Sequence, residues 1–219
     1  MTLRLHNFFR NSAGYRVRIA LGLKGLDYDY VSVNIMPGQS KQLTDEYRRI
    51  NPQALIPALE HDGAIITQST AIIEYLEEMF PDPTVLPKDP VTRAQSRAFA
   101  AAIASEVHAV NNLRIHKYLE DEMGLSAEQR DRWYKHWSVT GLAALEAILT
   151  NRKKTMFCFG GYPTVADIFL IPQCYNLRRA NIDFAPFPRI SEIIARCESL
   201  TAFAKAAPEV QPDAQEFKL

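Results

Sequence analysis

Cysteine is scarce in this chain: Cys158, Cys174 and Cys197 are three among 219 residues, an odd number with no C-x-x-C spacing. That excludes a disulfide-stapled scaffold and a thiolate zinc site, so no metal is expected and the thiols read as small buried hydrophobes. An excess of either charge is also missing. Lysine and arginine total 25, as do aspartate and glutamate, which gives no whole-chain reason to expect nucleic acid or an anionic membrane as a partner. No run of eighteen apolar residues occurs, so a transmembrane helix is not expected. A strand pattern begins at once, without a basic segment leading into an apolar one, and the expected location is cytoplasmic. Internal repeats and low-complexity tracts are absent as well. What the chain does have is a 47% hydrophobic content and enough length to bury a sizeable core.

The first eighty residues alternate strand and helix signals. Leu3–Phe8 reads as a strand, Gly14–Lys24 as a helix ended by Gly25, and Tyr28–Ile35 as a second strand with Val31, Val33 and Ile35 on one side. Lys41–Ile50 reads as a short helix closed by Asn51-Pro52. Ile56–Glu60 and Ile65–Thr67 flank His61-Asp62-Gly63-Ala64, a strong hairpin signal. Thr70–Phe80 follows as a helix that Ser69 can cap. The predicted order is β-α-β-α-β-β-α. Four prolines between 81 and 90 then mark a semi-rigid connector. Beyond it the pattern is helical over 92–120, 127–149, 164–180, 189–199 and 201–206, and the polar stretch from Pro208 reads as loosely attached. The expected organisation is an α/β domain at 1–81, a linker at 82–91 and an all-helical domain at 92–219.

Three features of the first domain point to one site. The turn Arg10-Asn11-Ser12-Ala13 sits where a strand hands over to a helix, whose free N–H groups favour anions and thiolates. Pro57 opens a strand that otherwise looks central, which suits a strand start and a cis peptide after Ile56. Gln68-Ser69 opens the next helix, a place suited to a carboxylate. Each also has a plainer account: Ser69 as an ordinary cap, Pro57 as a turn former, Gln68 as a solvated side chain.

Taken together, these residues resemble the glutathione transferases, and most of all their zeta class. The zeta signature runs roughly Ser-Ser-Cys-x-Trp-Arg-Val-Arg-Ile-Ala-Leu, and this chain has Asn11-Ser12-Ala13-Gly14-Tyr15-Arg16-Val17-Arg18-Ile19-Ala20-Leu21. Asn51-Pro52, Ile56-Pro57, Gln68-Ser69, Ile72–Glu78 and Thr164–Asp167 match further, and the likeness covers essentially the whole chain. It implies a thioredoxin-like N-terminal domain followed by an all-α domain. In the helical domain His108-Ala109-Val110-Asn111-Asn112-Leu113-Arg114 and the pair Arg178-Arg179 match the class pattern. On one helix, His108 and Asn112 would share a face.

The resemblance implies a glutathione-dependent cis-trans isomerase of a maleyl keto acid, working by reversible addition of the glutathione thiolate. Ser12, with Asn11 and Arg10, is the expected thiolate-stabilising group. Gln42, Ile56, Pro57, Gln68, Ser69, His108, Asn111 and Asn112 are the expected glutathione contacts. Arg10, Arg114 and Arg179 are expected to bind the substrate dicarboxylate. A homodimer is implied too. Two departures fall in the catalytic turn, where Asn11 replaces the first serine and Ala13 the cysteine. Other readings stay open: a transferase that conjugates, dehalogenates or reduces an electrophile, or a binding protein without catalysis. Arg114 and Arg179 also suit surface ion pairs, His108 a satisfied core histidine, and the two asparagines helix bracing.

Overall fold

The computed structural model describes residues 2–217. They group into two compact units, one of residues 2–85 with 198–217 and the other Leu86–Cys197.

The first unit is built on a four-stranded sheet of order β2-β1-β3-β4. Strand β1 (Leu3–Asn7) pairs in parallel with β2 (Asp29–Ser32) and antiparallel with β3 (Ala58–His61). The Asp62-Gly63 turn returns β3 antiparallel onto β4 (Ala64–Thr67), and Gly63 takes the positive φ of 85° that this turn needs. Helix α1 (Ser12–Lys24) is the crossover that parallel pairing of β1 and β2 requires. Eleven of its thirteen residues are buried, including Arg16 and Arg18. It packs against α3 (Ser69–Met79) and α9 (Thr201–Ala206). Gly25 ends it in the left-handed region, with its N–H on the Gly22 carbonyl.

The expected helix at 41–50 is a 3-10 turn, Lys41–Leu43, followed by α2 (Asp45–Ile50), because Thr44 interrupts it as the α2 cap. The start of the proline-rich connector belongs to this unit. The buried Lys24 ammonium holds Glu77, the Phe80 carbonyl and the Pro83 carbonyl at 2.7, 2.7 and 3.1 Å.

The stretch from Pro208 is packed, which corrects the expectation of a loose attachment. Gln211, Asp213 and Ala214 are buried, and Asp213 accepts hydrogen bonds from Phe9 N–H, Tyr30 and Ser32. These bonds, with the packing of α9 on α1, are why residues 198–217 group with the first unit instead of continuing the helical one.

The second unit is helical. Its elements are α4 (Pro90–Ala102), α5 (Leu113–Asp121), α6 (Ala127–Thr150), α7 (Val165–Arg179) and α8 (Pro188–Glu198). The single helix expected over 92–120 is interrupted. After α4 the backbone widens into a π-helix (Ile103–His108), tightens into a 3-10 turn (Ala109–Asn111) and extends at Asn112 before α5. Packing against α6 accompanies the wide turn: Gly141 lies so close to Val107 that a Cβ there would overlap the valine. Thr164 and Asp167 form a capping box at the start of α7, buried beside Cys158. All three cysteines are buried, and none forms a disulfide among the described residues.

Candidate active site

In the first unit the turn after β1 is shaped by its own side chains. Asn11 is the N-cap of α1, and its Oδ1 accepts the Gly14 N–H at 2.5 Å. That leaves the amide NH2 as the Asn11 donor available to a ligand. Ser12 is the first helical residue and 4% exposed. Arg10 is half-buried, with one guanidinium nitrogen 3.9 Å from the Met36 sulfur.

Beneath the turn, Phe8, Phe9, Val33, Tyr47, Ile56 and Ala214 share one apolar cluster, with Met36 packed against it. That cluster brings the turn and Ile56 together. The Ile56-Pro57 peptide is cis, and the segment before it is held by Tyr47 and Asn51, which both donate to the Leu55 carbonyl.

Ser69 is not the cap of α3 but its first residue. Gln68 occupies the capping position at φ 68° with no side-chain cap bond, and donates to the Gln53 side chain at 2.7 Å. The Ser69 hydroxyl instead accepts from Arg16 at 3.3 Å. Burial pulls the Arg16 guanidinium down to about 9, which still leaves it a cation at neutral pH. The sequence reading passed over Arg16. Its signal was the apolar run Val17, Ile19, Ala20 and Leu21, which marks a helix buried over most of its length, both arginines included.

This half-site suits an acidic thiol peptide. A carboxylate at the start of α3 would meet Ser69, the helix N–H groups and a buried cation. Gln42, on the 3-10 turn, has a buried Oε1 with no partner among the described residues, an acceptor suited to a ligand N–H.

In the second unit the expected group at 108–114 is divided. His108 closes the π-helix, and the backbone is extended at Asn112 with ψ 163°, so the two do not lie on one continuous α-helix. Asn112 caps α5, accepting the Arg114 and Ile115 N–H groups at 3.0 and 3.3 Å. Asn111 reaches α6 instead, donating to the Ser138 hydroxyl at 3.2 Å. Arg114 and Arg179 are both exposed. Arg179 lies 5.9 Å from the Tyr175 ring, and its charge acts on the phenol of Tyr134, whose pKa burial raises. Tyr134 in turn packs against His116, with ring centroids 5.5 Å apart and the planes tilted by 50°. Arg178 turns elsewhere, toward the Phe184 ring.

Residues 9–84 match the glutathione S-transferase N-terminal domain family. A maleylpyruvate isomerase from Ralstonia sp. is 41% identical over 212 residues, spanning 96% of this chain and 99% of its own. The chain belongs to the zeta-class glutathione transferase family. Solved structures of the family superpose closely. A holo maleylpyruvate isomerase described as a bacterial zeta-class transferase matches with a TM-score of 0.92 at 40% identity, over 96% of this chain and 99% of that one. A maleylacetoacetate isomerase from Methylobacterium extorquens, with malonate and GSH bound, also gives 0.92 at 35% identity over 96% and 99%. Family membership agrees with the four-stranded sheet and the helical unit that follows it. Against the class signature quoted above, Asn11 takes the first serine position as a working helix cap.

Proposed function

We propose that this chain is a glutathione-dependent cis-trans isomerase of a maleyl keto acid, converting maleylpyruvate to fumarylpyruvate or maleylacetoacetate to fumarylacetoacetate. The carrying observation is the full-length similarity to the Ralstonia maleylpyruvate isomerase, joined by the relative that binds GSH together with a dicarboxylate, malonate. Bound glutathione supplies a soft thiolate that adds to the cis double bond, permits rotation and leaves. No net oxidation or proton loss is involved.

The chain's own residues do the rest. Ser12, at the start of α1, donates to the sulfur and with the helix N–H groups favours its anion. Asn11 contributes the NH2 of an amide whose oxygen is already engaged. Gln42, Ile56, Pro57, Gln68 and Ser69 hold the peptide, with Arg16 behind Ser69. His108, Asn111 and Asn112 are assigned to glutathione by resemblance. Asn111 also braces α6 and Asn112 also caps α5. Arg10, Arg114 and Arg179 bind the two carboxylates, where planar guanidinium groups make two-point contacts and offset the charge that develops on the keto oxygen. The reading extends to a cytoplasmic homodimer in aromatic amino acid catabolism.

A second reading, a transferase acting on neutral electrophiles, is favoured by one observation: an Arabidopsis thaliana relative 36% identical over 218 residues is named glutathione S-transferase Z1. Purified protein with glutathione and each cis diacid, followed by absorbance, separates the two. Isomerisation is expected, and Arg10→Ala or Arg179→Ala should raise KM for the diacid strongly. Turnover of a halogenated aromatic with none of either diacid would replace the first reading by the second.

A further inference from the structure

The β1–β2 ladder stops at Asn7, whose carbonyl accepts the Val33 N–H at 2.8 Å. From Phe8 the backbone leaves the sheet, and within the next four residues it must present Arg10, Asn11 and Ser12. No strand pairs with the Phe9 peptide groups, yet both are held. The Asp213 carboxylate accepts the Phe9 N–H at 3.3 Å. Arg18 donates to the Phe9 carbonyl at 3.0 Å, and also to the Asn7 side chain at 2.7 Å and the Ala206 carbonyl at 3.0 Å. Asp213 is 5% exposed and Arg18 is 2% exposed, so each charge is set against the other in a place that water barely reaches.

The carboxylate is itself aimed. Tyr30 donates to its Oδ1 and Ser32 to its Oδ2, each at 2.7 Å, and both donors come from the edge strand β2. Phe217 stacks on the Phe9 ring at 5.4 Å and meets the Phe8 ring edge-on at 5.5 Å.

We infer that Asp213 is a positioning residue for the thiol-stabilising turn, holding the Phe9 N–H while Arg18 holds the Phe9 carbonyl. The inference rests on the isomerase reading for the task of the turn, but the contacts are those of this chain. Asp213 touches no reacting atom. It acts through the Phe8–Phe9 peptide, whose N–H it holds just ahead of the Phe9–Arg10 peptide held by Arg18, so loosening it lets Asn11 and Ser12 drift from the sulfur they are to stabilise.

The experiment compares the full-length protein with Asp213→Asn, Asp213→Glu and, as control, the exposed Glu216→Gln. Three quantities are read: Tm, the pKa of bound glutathione's thiol by ultraviolet titration, and kcat and KM with maleylpyruvate. Asp213→Asn should lower kcat about ten- to a hundredfold with the diacid KM nearly unchanged. It should also raise the bound-thiol pKa by about half a unit or more, and Asp213→Glu should recover part of both. A folded Asp213→Asn with a lower Tm, but with wild-type kcat and thiol pKa, would overturn the inference. If Asp213→Asn does not fold, the double variant Tyr30→Phe, Ser32→Ala frees the carboxylate without removing it, and wild-type values there overturn the inference equally. A wild-type protein that ionises bound glutathione but isomerises neither diacid sinks the isomerase reading alone, because the titration still tests Asp213. One that does not ionise glutathione sinks both.

Discussion

Arg16 and Ser69, far apart in the sequence, meet through a 3.3 Å hydrogen bond that ties α1 to the first residue of α3. A buried cation sits behind the hydroxyl that is proposed to receive a ligand carboxylate. Arg16→Gln should therefore raise KM for glutathione roughly tenfold or more, with a smaller change in kcat, since a hydrogen bond to a charged group contributes about 1.5–3 kcal/mol. Steady-state kinetics at varied glutathione concentration reads this directly. An unchanged KM would mean that Arg16 only braces the two helices.

Asn11 and Ser12 divide the work of one turn. Asn11→Ala removes a helix cap and should cost about 1 kcal/mol of stability, measured by urea unfolding. Ser12→Ala leaves the cap intact and should cut kcat on the order of a hundredfold, as loss of a donor to a developing or resident anion does. Asn11→Ser places the class's serine and a capping oxygen at once, and should keep both stability and rate. If Asn11→Ala proves slower than Ser12→Ala, the roles are reversed.

Gly141 on α6 packs against Val107 of the π-helix, and Gly141→Ala would drive a methyl into that valine. Overpacking of this kind should cost about 1–3 kcal/mol, although alanine is otherwise the better helix residue. Adding Val107→Ala to the variant should restore most of the lost stability. Thermal unfolding of the single and double variants tests the pairing.

His116 carries a pKa lowered first by burial and then by the Arg130 charge. The unfolded chain therefore binds the proton more readily than the folded one. Its contribution is fully present above the ordinary histidine value near 6.5 and is lost as pH falls through the lower folded value. Stability should decline between about pH 7 and 5, and His116→Gln should flatten part of that decline in urea titrations at stepped pH. Parallel curves for the two proteins would remove His116 as a cause.

The sheet and its helices were legible because period-two and helical patterns alternate cleanly and Asp62-Gly63 marks the hairpin. The break at Asn112 was hidden, since the apolar spacing around Ile103 and Val107 continues a helix equally well through a π turn. The adjacent pair Asn111-Asn112 was the available warning, as asparagine favours caps over helix interiors. For the site, the turn at 10–12, the cis peptide at Pro57 and Ser69 could be placed from sequence. The partners behind them could not. Arg16 bonds Ser69 and Asp213 bonds Phe9 across long separations, and no local pattern encodes such contacts.

The grouping of residues 198–217 with the start of the chain has a consequence for how the protein is made. On a ribosome the strands of the first unit emerge early, but Arg18 must wait for the Ala206 carbonyl and Phe9 for the Asp213 carboxylate. All of Leu86–Cys197 leaves the exit tunnel before those partners do. The unit whose strands precede Leu86–Cys197 is thus completed after it, and until Asp213 emerges the turn at 10–12 is held from one side only.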